Sequence, residues 1–383
     1  MIAKKKSILH LVDDEKFTDS IISMFDKCSE IVSSDFVILE NNKLEIFKYI
    51  KTLDRVNVVV VNSAEKDELL KKEYDVIWVH SLIALKGSFA NEYRKIHTCK
   101  IVWSTFGWDY LRFLELPLLR TKSFFHEFRK RSWRARIMWI GRLLFSFLHL
   151  NFLFRRKHWE REFIKNIDFY SCVLEEEWPI IKRVIGGRGC PFKFYYMSPL
   201  ISDDEGEDIK VSLESKEIWV GNSATPTNNF YDIFPLLKKY KEYRINVPLS
   251  YGSITNDINR YGKFCFEGRW NAIMQFLSYA SFEKKMASCS VFIFGHRRQQ
   301  ALGNISIALR LGGCVFLDKK SPMYSHFINK GIIVFPLDEL KERMTECIEI
   351  LKIKQDENIS KMADLRASYW NDVTESIKMI ASN

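Results

Sequence analysis

Short apolar runs alternate with amphipathic stretches along the first half of the chain. The runs at 8–12, 36–39, 56–61, 75–80, 100–104 and 168–174 predict buried strands, and the stretches at 17–25 and 82–96 predict helices. Parallel strands cannot be joined by tight turns, so this alternation indicates a parallel sheet with crossover helices. We therefore expect an α/β, Rossmann-like domain over residues 1–201.

The same pattern restarts after an acidic, polar stretch at 202–217, which is typical of a linker. It predicts strands at 218–220, 244–247, 291–294, 314–317 and 332–335, with helices at 229–240, 281–287 and 304–311. A second Rossmann-like domain is expected over 218–336. Residues 337–383 predict two C-terminal helices, 337–354 and 357–380. Two such domains in tandem favour a facing pair with a cleft between them.

Composition is that of a globular protein, with 47% hydrophobic residues in 383. The eight cysteines form no Cys-x-x-Cys pair and no secretory signal is visible, so we expect reduced thiols and a cytoplasmic address. The net charge of +10 is concentrated: 120–165 holds thirteen basic and three acidic residues, which accounts for the whole excess.

That segment predicts a membrane contact. Within it, residues 137–154 are mostly apolar, but 18 residues are barely enough to cross a bilayer and a central Arg142 disfavours crossing. Aromatic residues interleaved with cations instead favour a helix lying on an anionic leaflet. The predicted membrane residues are Arg129, Lys130, Arg131, Trp133, Arg134, Trp139 and Arg142. A buried helical hairpin and a nucleic-acid patch remain alternatives, although no nucleic-acid module accompanies the segment and no nucleic-acid partner is expected.

Three loops of the second domain follow predicted strands, where doubly wound sheets bind ligands. The first is rich in small and polar residues, the second carries cations before a helix, and the third offers an aromatic face. Guanidinium groups bind phosphate through paired hydrogen bonds, so the second loop predicts a diphosphate site. Plain capping turns and a packed tyrosine are the alternatives. The candidate donor-binding residues are Gly221, Asn222, Ser223, Asn228, Tyr251, Gly252, Arg298, Gln299, Gln300, Gly303 and Asn304.

Several chemistries lack support. There is no G-x-G-x-x-G fingerprint and no Walker lysine, which disfavours dinucleotide oxidoreduction and transfer from ATP. The histidines stand apart from Cys or carboxylate partners at ligand spacing, so no metal or other cofactor is expected. In the first domain, Asp109 follows a predicted strand and His80 ends one, and both are candidates for a general base. A helix N-cap and a structural imidazole are the alternatives.

Five motifs together resemble the lipid II N-acetylfucosaminyltransferases of enterobacterial common antigen synthesis, glycosyltransferase family 56. They are VIWVH, FGWDYL, VGNSATPTNN, NVPLSYG and FIFGHRRQQALGN, in the same order over roughly residues 75–335. The resemblance implies a GT-B fold, a dTDP-activated amino sugar as donor, and an undecaprenyl-diphosphate-linked acceptor at the cytoplasmic face of the bacterial inner membrane. It also places Arg298 at the family's cationic position.

The expected activity is therefore transfer of a dTDP- or UDP-activated acetamido-dideoxy hexose, such as Fuc4NAc, onto a polyprenyl-diphosphate-linked saccharide in surface polysaccharide synthesis. Arg298 and the helix start at Gly303 would stabilise the leaving diphosphate without a metal, and Asp109 or His80 would act as base if the anomeric centre inverts. A nucleotide-sugar epimerase of similar fold and a non-catalytic membrane adaptor remain alternatives.

Overall fold

The computed structural model describes residues 5–42, 46–111, 118–147, 157–196 and 209–382, with the side chains of 142–147 excepted. The chain divides into two compact units. The first unit comprises Met1–Glu115, Phe145–Ile201 and Ser368–Asn383, and the second comprises Leu116–Leu144 and Ser202–Ala367. The predicted division instead counted 116–144 with the first domain and 368–383 with the C-terminal helices.

The first unit is built on a seven-stranded parallel sheet. Its strands are β1 (Lys6–Val12), β2 (Val32–Glu40), β3 (Val56–Val60), β4 (Val76–His80), β5 (Lys100–Ser104), β6 (Phe169–Ser171) and β7 (Cys190–Pro191). They lie in the order β3-β2-β1-β4-β5-β6-β7. The order reverses between β1 and β4, where ligands bind in doubly wound sheets. All five residues of β4 are buried, as expected for a strand covered on both faces.

The second unit repeats this arrangement with six parallel strands. They are β8 (Glu217–Val220), β9 (Arg244–Pro248), β10 (Trp270–Ile273), β11 (Val291–Phe294), β12 (Cys314–Leu317) and β13 (Phe335–Pro336). Their order is β10-β9-β8-β11-β12-β13, which reverses between β8 and β11. The predicted Rossmann-like architecture of both halves is confirmed. Sequence reasoning missed the edge strands β7 and β10, which are short and have no buried residue.

The helices of the described residues lie between strands along the chain, except the last one, which follows β13. They are α1 (Thr18–Lys27), α2 (Ala64–Lys71), α3 (Ala84–Ile96), α4 (Trp108–Leu111), α5 (Thr121–Lys130), α6 (Trp133–Phe147), α7 (His158–Asn166), α8 (Trp178–Ile185), α9 (Phe230–Leu237), α10 (Thr255–Phe266), α11 (Tyr279–Ala287), α12 (Leu302–Arg310), α13 (Pro322–Asn329) and α14 (Leu340–Ser382). Each predicted helix of the two Rossmann-like halves corresponds to one of these within a few residues.

The C-terminal prediction of two helices is wrong, because α14 is a single helix of 43 residues. The two predicted helices were separated at residues 355–356, but no Gly or Pro interrupts the chain there. Gln355 and Asn358 are buried instead. The Gln355 amide donates to the carbonyls of Val211 and Gly312 at 3.1 and 2.9 Å. A buried side-chain amide that donates to backbone carbonyls has its hydrogen bonds satisfied, so it can lie in the middle of a continuous helix.

The predicted linker at 202–217 lies partly outside the described residues, which resume at 209. Val211 and Leu213 are buried in the second unit. The backbone N–H of Val211 donates to the Leu311 carbonyl at 2.9 Å. This part of the stretch is therefore packed against the second unit, although its composition is acidic and polar.

Candidate functional site

Two loops of the second unit meet where its strand order reverses. Strand β8 pairs with β11 in parallel register, so the residues that follow each strand lie at the same edge of the sheet. Residues 221–229 follow β8 and residues 295–301 follow β11. Both loops contain predicted donor-binding residues, and side-chain hydrogen bonds connect the two loops.

Asn228 organises the first loop. It is fully buried, and its Nδ2 donates to the Ser223 carbonyl at 2.8 Å and to Thr225 Oγ1 at 2.9 Å. Its Oδ1 accepts from the backbone N–H of Asn222 at 3.0 Å and lies 2.9 Å from His296 Nε2. Because the amide oxygen is an acceptor, Nε2 of His296 carries the proton. Burial lowers the pKa of His296 to about 3, so this imidazole is neutral.

Two glycines let the backbone approach closely at this edge. Gly221 has a φ of +73°, and a Cβ there would lie 2.4 Å from Asn228 Oδ1. Gly252 has a φ of +124°, and a Cβ there would lie 2.3 Å from the Ala224 carbonyl oxygen. Both positions therefore require glycine on conformational and steric grounds.

Gln300 joins the loop after β11 to the loop after β8. Its Oε1 accepts from Thr227 Oγ1 at 2.7 Å and from Arg298 Nε at 3.1 Å. Its Nε2 donates to Asn222 Oδ1 and Thr225 Oγ1, both at 3.1 Å. One side-chain amide thus fixes the position of Arg298 relative to the first loop.

The third predicted loop joins them through Tyr251. Asn222 Nδ2 donates to the Tyr251 hydroxyl at 3.1 Å, and the Ala224 N–H donates to the Tyr251 carbonyl at 2.7 Å. The side chain of Tyr251 remains 48% exposed, which leaves ring surface for a planar ligand. The structure therefore brings all three predicted loops together.

The two adjacent arginines have different surroundings. Arg297 Nε donates to Asp318 at 3.0 Å, and Asp318 also pairs with Arg120 at 2.6 Å. Burial opposes ionisation of Asp318, but hydrogen bonds from the Lys320 N–H and Arg297 hold its pKa below the usual value. The charge of Arg297 is thus balanced by a fixed carboxylate, while Arg298 is held by the amide of Gln300.

The remaining predicted residues of this loop lead into α12. Gln299 is buried. Ala301 precedes the helix with a φ of +64°, and Gly303 and Asn304 lie in its first turn. Amides of a first helical turn have no intrahelical acceptor and favour anions. The segment can therefore bind a diphosphate next to Arg298.

Asp109 of the first unit is enclosed by donors. It is fully buried, and Oδ2 accepts from the Leu82 N–H at 2.9 Å and Trp103 Nε1 at 3.0 Å. Oδ1 accepts from the N–H groups of Phe106 and Tyr110 at 2.9 and 3.1 Å. Burial raises its pKa despite these bonds. In the folded chain this carboxylate organises the turn before α4, and a catalytic role for it stays a prediction.

His80 is also inside the first unit. It is 1% exposed, and its Nε2 lies 3.0 Å from Nδ1 of His10. Burial, together with the neighbouring His10 and Lys86, lowers its pKa well below the usual value. The side chain is therefore neutral and faces the core, and its role as a base likewise stays a prediction.

Sequence reasoning missed a charged pair at the same edge of the first sheet. Lys86 of α3 is fully buried, and its Nζ donates to Oδ2 of Asp13 at 2.5 Å. Ser81 Oγ donates to the same oxygen at 3.0 Å. A lysine on the apolar face of α3 was the available signal, because buried lysines almost always have a partner.

Helices α5 and α6 carry the predicted membrane residues. Trp133 is 66% exposed, Ile137 62% and Met138 60%. The Arg131 guanidinium lies 4.2 Å from the centre of the Trp139 ring. The other predicted cations here are Arg129 and Arg134, which are exposed, and Lys130, which pairs with Asp257. The side chain of Arg142 and residues 148–154 lie outside the described part.

Helix α5 is fixed to the second unit at its start. The N–H groups of Lys122 and Ser123 donate to the Asp232 carboxylate of α9 at 2.9 and 2.8 Å.

Among the described residues, no helix combines the length and apolar character needed to cross a bilayer. Nor do the described His, Cys, Asp and Glu side chains include a group of three able to hold a metal ion.

Comparison with known proteins identifies the fold. No family model and no curated protein matches the sequence. Among solved structures, the chain is similar to HepE from Anabaena in complex with UDP and glucose, with a TM-score of 0.60 and 11% identity over 98% of this chain and 97% of that one. The chain has the GT-B fold. This confirms the predicted fold class.

Two further GT-B neighbours support the assignment. Sucrose-phosphate synthase from Thermosynechococcus elongatus matches with a TM-score of 0.60 and 8% identity over 98% of this chain and 97% of that one. An α-glucosyltransferase in complex with UDP and a 13-mer DNA matches with a TM-score of 0.56 and 11% identity over 98% and 99%. At this sequence identity the structural likeness shows the fold alone.

Proposed function

We propose that this chain is a glycosyltransferase whose second unit binds a nucleoside diphospho-sugar. The observation that carries the proposal is the junction of three loops at the β8/β11 edge, linked through Gln300 and Asn222. GT-B neighbours solved with UDP and glucose or with UDP alone support the ligand class.

The same loops suggest how the donor is bound. Tyr251 offers an exposed ring for stacking, and the turn at Gly221 allows backbone close to a ligand. Arg298 and the first turn of α12 supply positive potential to the diphosphate. As the bond from the sugar to the diphosphate breaks, negative charge grows on the leaving oxygens, and these fixed donors stabilise it.

We propose a lipid-linked acceptor and an amino sugar donor. The support is the resemblance of five motifs to the family 56 N-acetylfucosaminyltransferases, together with the exposed cationic and aromatic surface of α5 and α6. The donor is then a dTDP- or UDP-activated acetamido-dideoxy hexose, and the acceptor a polyprenyl-diphosphate saccharide of O-antigen or common antigen synthesis. Peripheral attachment to the cytoplasmic face of the inner membrane follows.

Ligand-induced stabilisation tests the donor class. A ligand that binds only the native state raises its stability by mass action, so dTDP or UDP should raise the unfolding temperature more than NAD or ATP does. Equal shifts with NAD would contradict the proposal. Transfer of labelled sugar to a polyprenyl-linked acceptor then separates an enzyme from a nucleotide-binding adaptor, and sugar isomerisation without acceptor would indicate an epimerase.

Charge reversal tests membrane attachment. We expect Arg129→Glu, Arg131→Glu and Arg134→Glu together to release the protein from anionic vesicles, because each cation near such a surface contributes about 1 kcal/mol. Lys130 is spared because it pairs with Asp257.

The matched control reverses Lys238, Lys239 and Lys241, which are exposed elsewhere on the same unit. Co-sedimentation with vesicles at low and physiological salt is the measurement, since screening weakens the cationic contribution. Equal binding by both triple variants would contradict attachment through α5 and α6. Wild-type protein that never sediments with anionic vesicles would favour the buried-hairpin alternative.

A further inference from the structure

We infer that Asp13 is the proton acceptor for the hydroxyl group of the acceptor substrate, and that Lys86 and Ser81 position it. This inference rests on the proposed transferase function. It concerns the carboxyl ends of β1 and β4 in the first unit, the point at which that sheet reverses its strand order.

The geometry of Asp13 is asymmetric. Its Oδ2 accepts from Lys86 Nζ at 2.5 Å and from Ser81 Oγ at 3.0 Å. Its Oδ1 has no hydrogen-bond partner in the part of the chain that the structure describes, and the side chain is 27% exposed. One oxygen is therefore anchored, while the other remains able to accept a hydrogen bond from a hydroxyl group.

The anchoring groups are themselves fixed. Lys86 is fully buried, and its Nζ also donates to the His80 carbonyl. Ser81 is 1% exposed and has a φ of +57°, an uncommon conformation for a residue with a Cβ. Strained backbone of this kind clusters at functional sites, where surrounding structure holds it in place. Here the strained turn directs the Ser81 hydroxyl to Asp13.

Lys86 and Asp13 form an ion pair at this edge. Because Lys86 is fully buried, the attraction of its ammonium group for the carboxylate is stronger than it is in water. Burial lowers the pKa of Lys86, and the charge of Asp13 opposes that shift.

The other two candidates lack solvent access, since Asp109 is fully buried and His80 is 1% exposed. Both oxygens of Asp109 already accept hydrogen bonds, and its side chain has no exposed surface. His80 is buried against His10 and lies inside the sheet. Among these three residues, only Asp13 combines solvent access with a free lone pair.

The proposed step is a displacement at the anomeric carbon of the donor sugar. The acceptor hydroxyl donates its proton to Asp13 Oδ1 while its oxygen forms a bond to the anomeric carbon of the donor sugar. The bond from that carbon to the diphosphate breaks, and the nucleoside diphosphate leaves with the electron pair. Asp13 then releases the proton to solvent, which regenerates the carboxylate.

Substitution of Asp13 tests this role. Asp13→Asn should lower the turnover number by about a hundredfold or more, while the dissociation constant for dTDP or UDP stays unchanged. The acid limb of the pH profile of kcat/KM should disappear in Asp13→Asn. Glu15→Gln is the matched control, because Glu15 is a neighbouring half-buried carboxylate outside the pair, and it should keep both turnover and the pH profile.

A second variant separates catalysis from folding, because Asp13→Asn leaves the buried Lys86 without its partner. The double variant Asp13→Asn/Lys86→Met removes both charges and should remain folded but inactive. Restored transfer in the double variant, or full transfer by Asp13→Asn, would overturn the inference. A wild-type protein that binds no nucleotide and transfers no sugar would overturn the proposed function and the inference with it.

Discussion

The two sheets reverse their strand order at corresponding points, yet the side chains collected there differ in kind. At the β1/β4 edge the partners form an ion pair, Asp13 with Lys86. At the β8/β11 edge the central partners are neutral amides, Asn228 and Gln300, with Arg298 held by one of them.

This difference separates two tasks. Amides with satisfied hydrogen bonds do not titrate and keep one geometry at any moderate pH, which suits a site that binds an anion. A carboxylate that keeps one oxygen free can accept a proton, which suits a site that deprotonates a substrate hydroxyl group. Four measurements test whether the two edges differ in this way.

The largest effect is expected from breaking the charged pair. Asp13→Asn should lower the free energy of unfolding by about 3 to 4 kcal/mol, because an uncompensated charge is left at the fully buried Lys86. Adding Lys86→Met should recover most of this loss. Urea unfolding of the two single variants and the double variant provides the cycle. Additive losses would show that the two groups are not coupled.

The next effect tests the cation of the second edge. Arg298→Ala should lower the rate of sugar transfer by about a hundredfold, equivalent to about 3 kcal/mol, because it removes a charged donor to the leaving group. Arg297→Ala is the control and should lose less, since Asp318 already balances its charge. Steady-state kinetics at saturating acceptor compares them. Indistinguishable rates would contradict the assignment of Arg298.

A third measurement asks whether the first unit carries the pH dependence of stability. Burial raises the pKa of Glu177 to about 7, although Tyr110 donates to its carboxylate. The folded state therefore holds a proton that the unfolded chain releases, so stability falls as pH rises from about 4.5 to 7. Glu177→Gln should remove about 2 kcal/mol of this fall. The measurement is the change in unfolding free energy from pH 5 to pH 7.5. The same change in the variant and in the wild type would contradict this prediction.

The smallest effect concerns the amide bridge. Gln300→Ala should cost about 1 kcal/mol of stability, because its partners Thr225 and Asn222 are only partly buried and can bind water. Affinity for dTDP or UDP should fall more than stability does, since Arg298 loses its hydrogen bond to Gln300. Isothermal titration calorimetry measures the affinity for the nucleotide, and thermal unfolding measures the stability. Unchanged affinity would show that the loops are held independently of Gln300.

Much of the fold follows from the sequence, because buried parallel strands are continuous apolar runs. Strands β5 and β11 occur at the predicted residues. The edge strand β10 was missed because none of its four residues is buried. The continuous α14 was missed because burial of Gln355 and Asn358 depends on backbone carbonyls and N–H groups from elsewhere in the fold. Periodicity cannot reveal such partners.

The candidate site, like the fold, was predictable from the sequence only in part. Loops that follow strands can be placed at one edge by topology, so the grouping of Gly221, Tyr251 and Gln300 was predictable. The partnership of Asp13 with Lys86 was not, because 73 residues separate them and only the folded sheet brings them together. Similarly, nothing near α5 in sequence indicates that Asp232 caps its first turn.

The end of α14 has a consequence for how the chain is synthesised. Residues Ser368–Asn383 belong to the first unit, and the Tyr369 ring lies 4.1 Å from the Tyr195 ring. Val373 and Ile377 are fully buried. As the chain emerges from the ribosome, the second unit has all its segments before the first one does. The first unit therefore completes its core only once residues 368–382 have been synthesised, and until then the apolar residues that pack against them stay exposed.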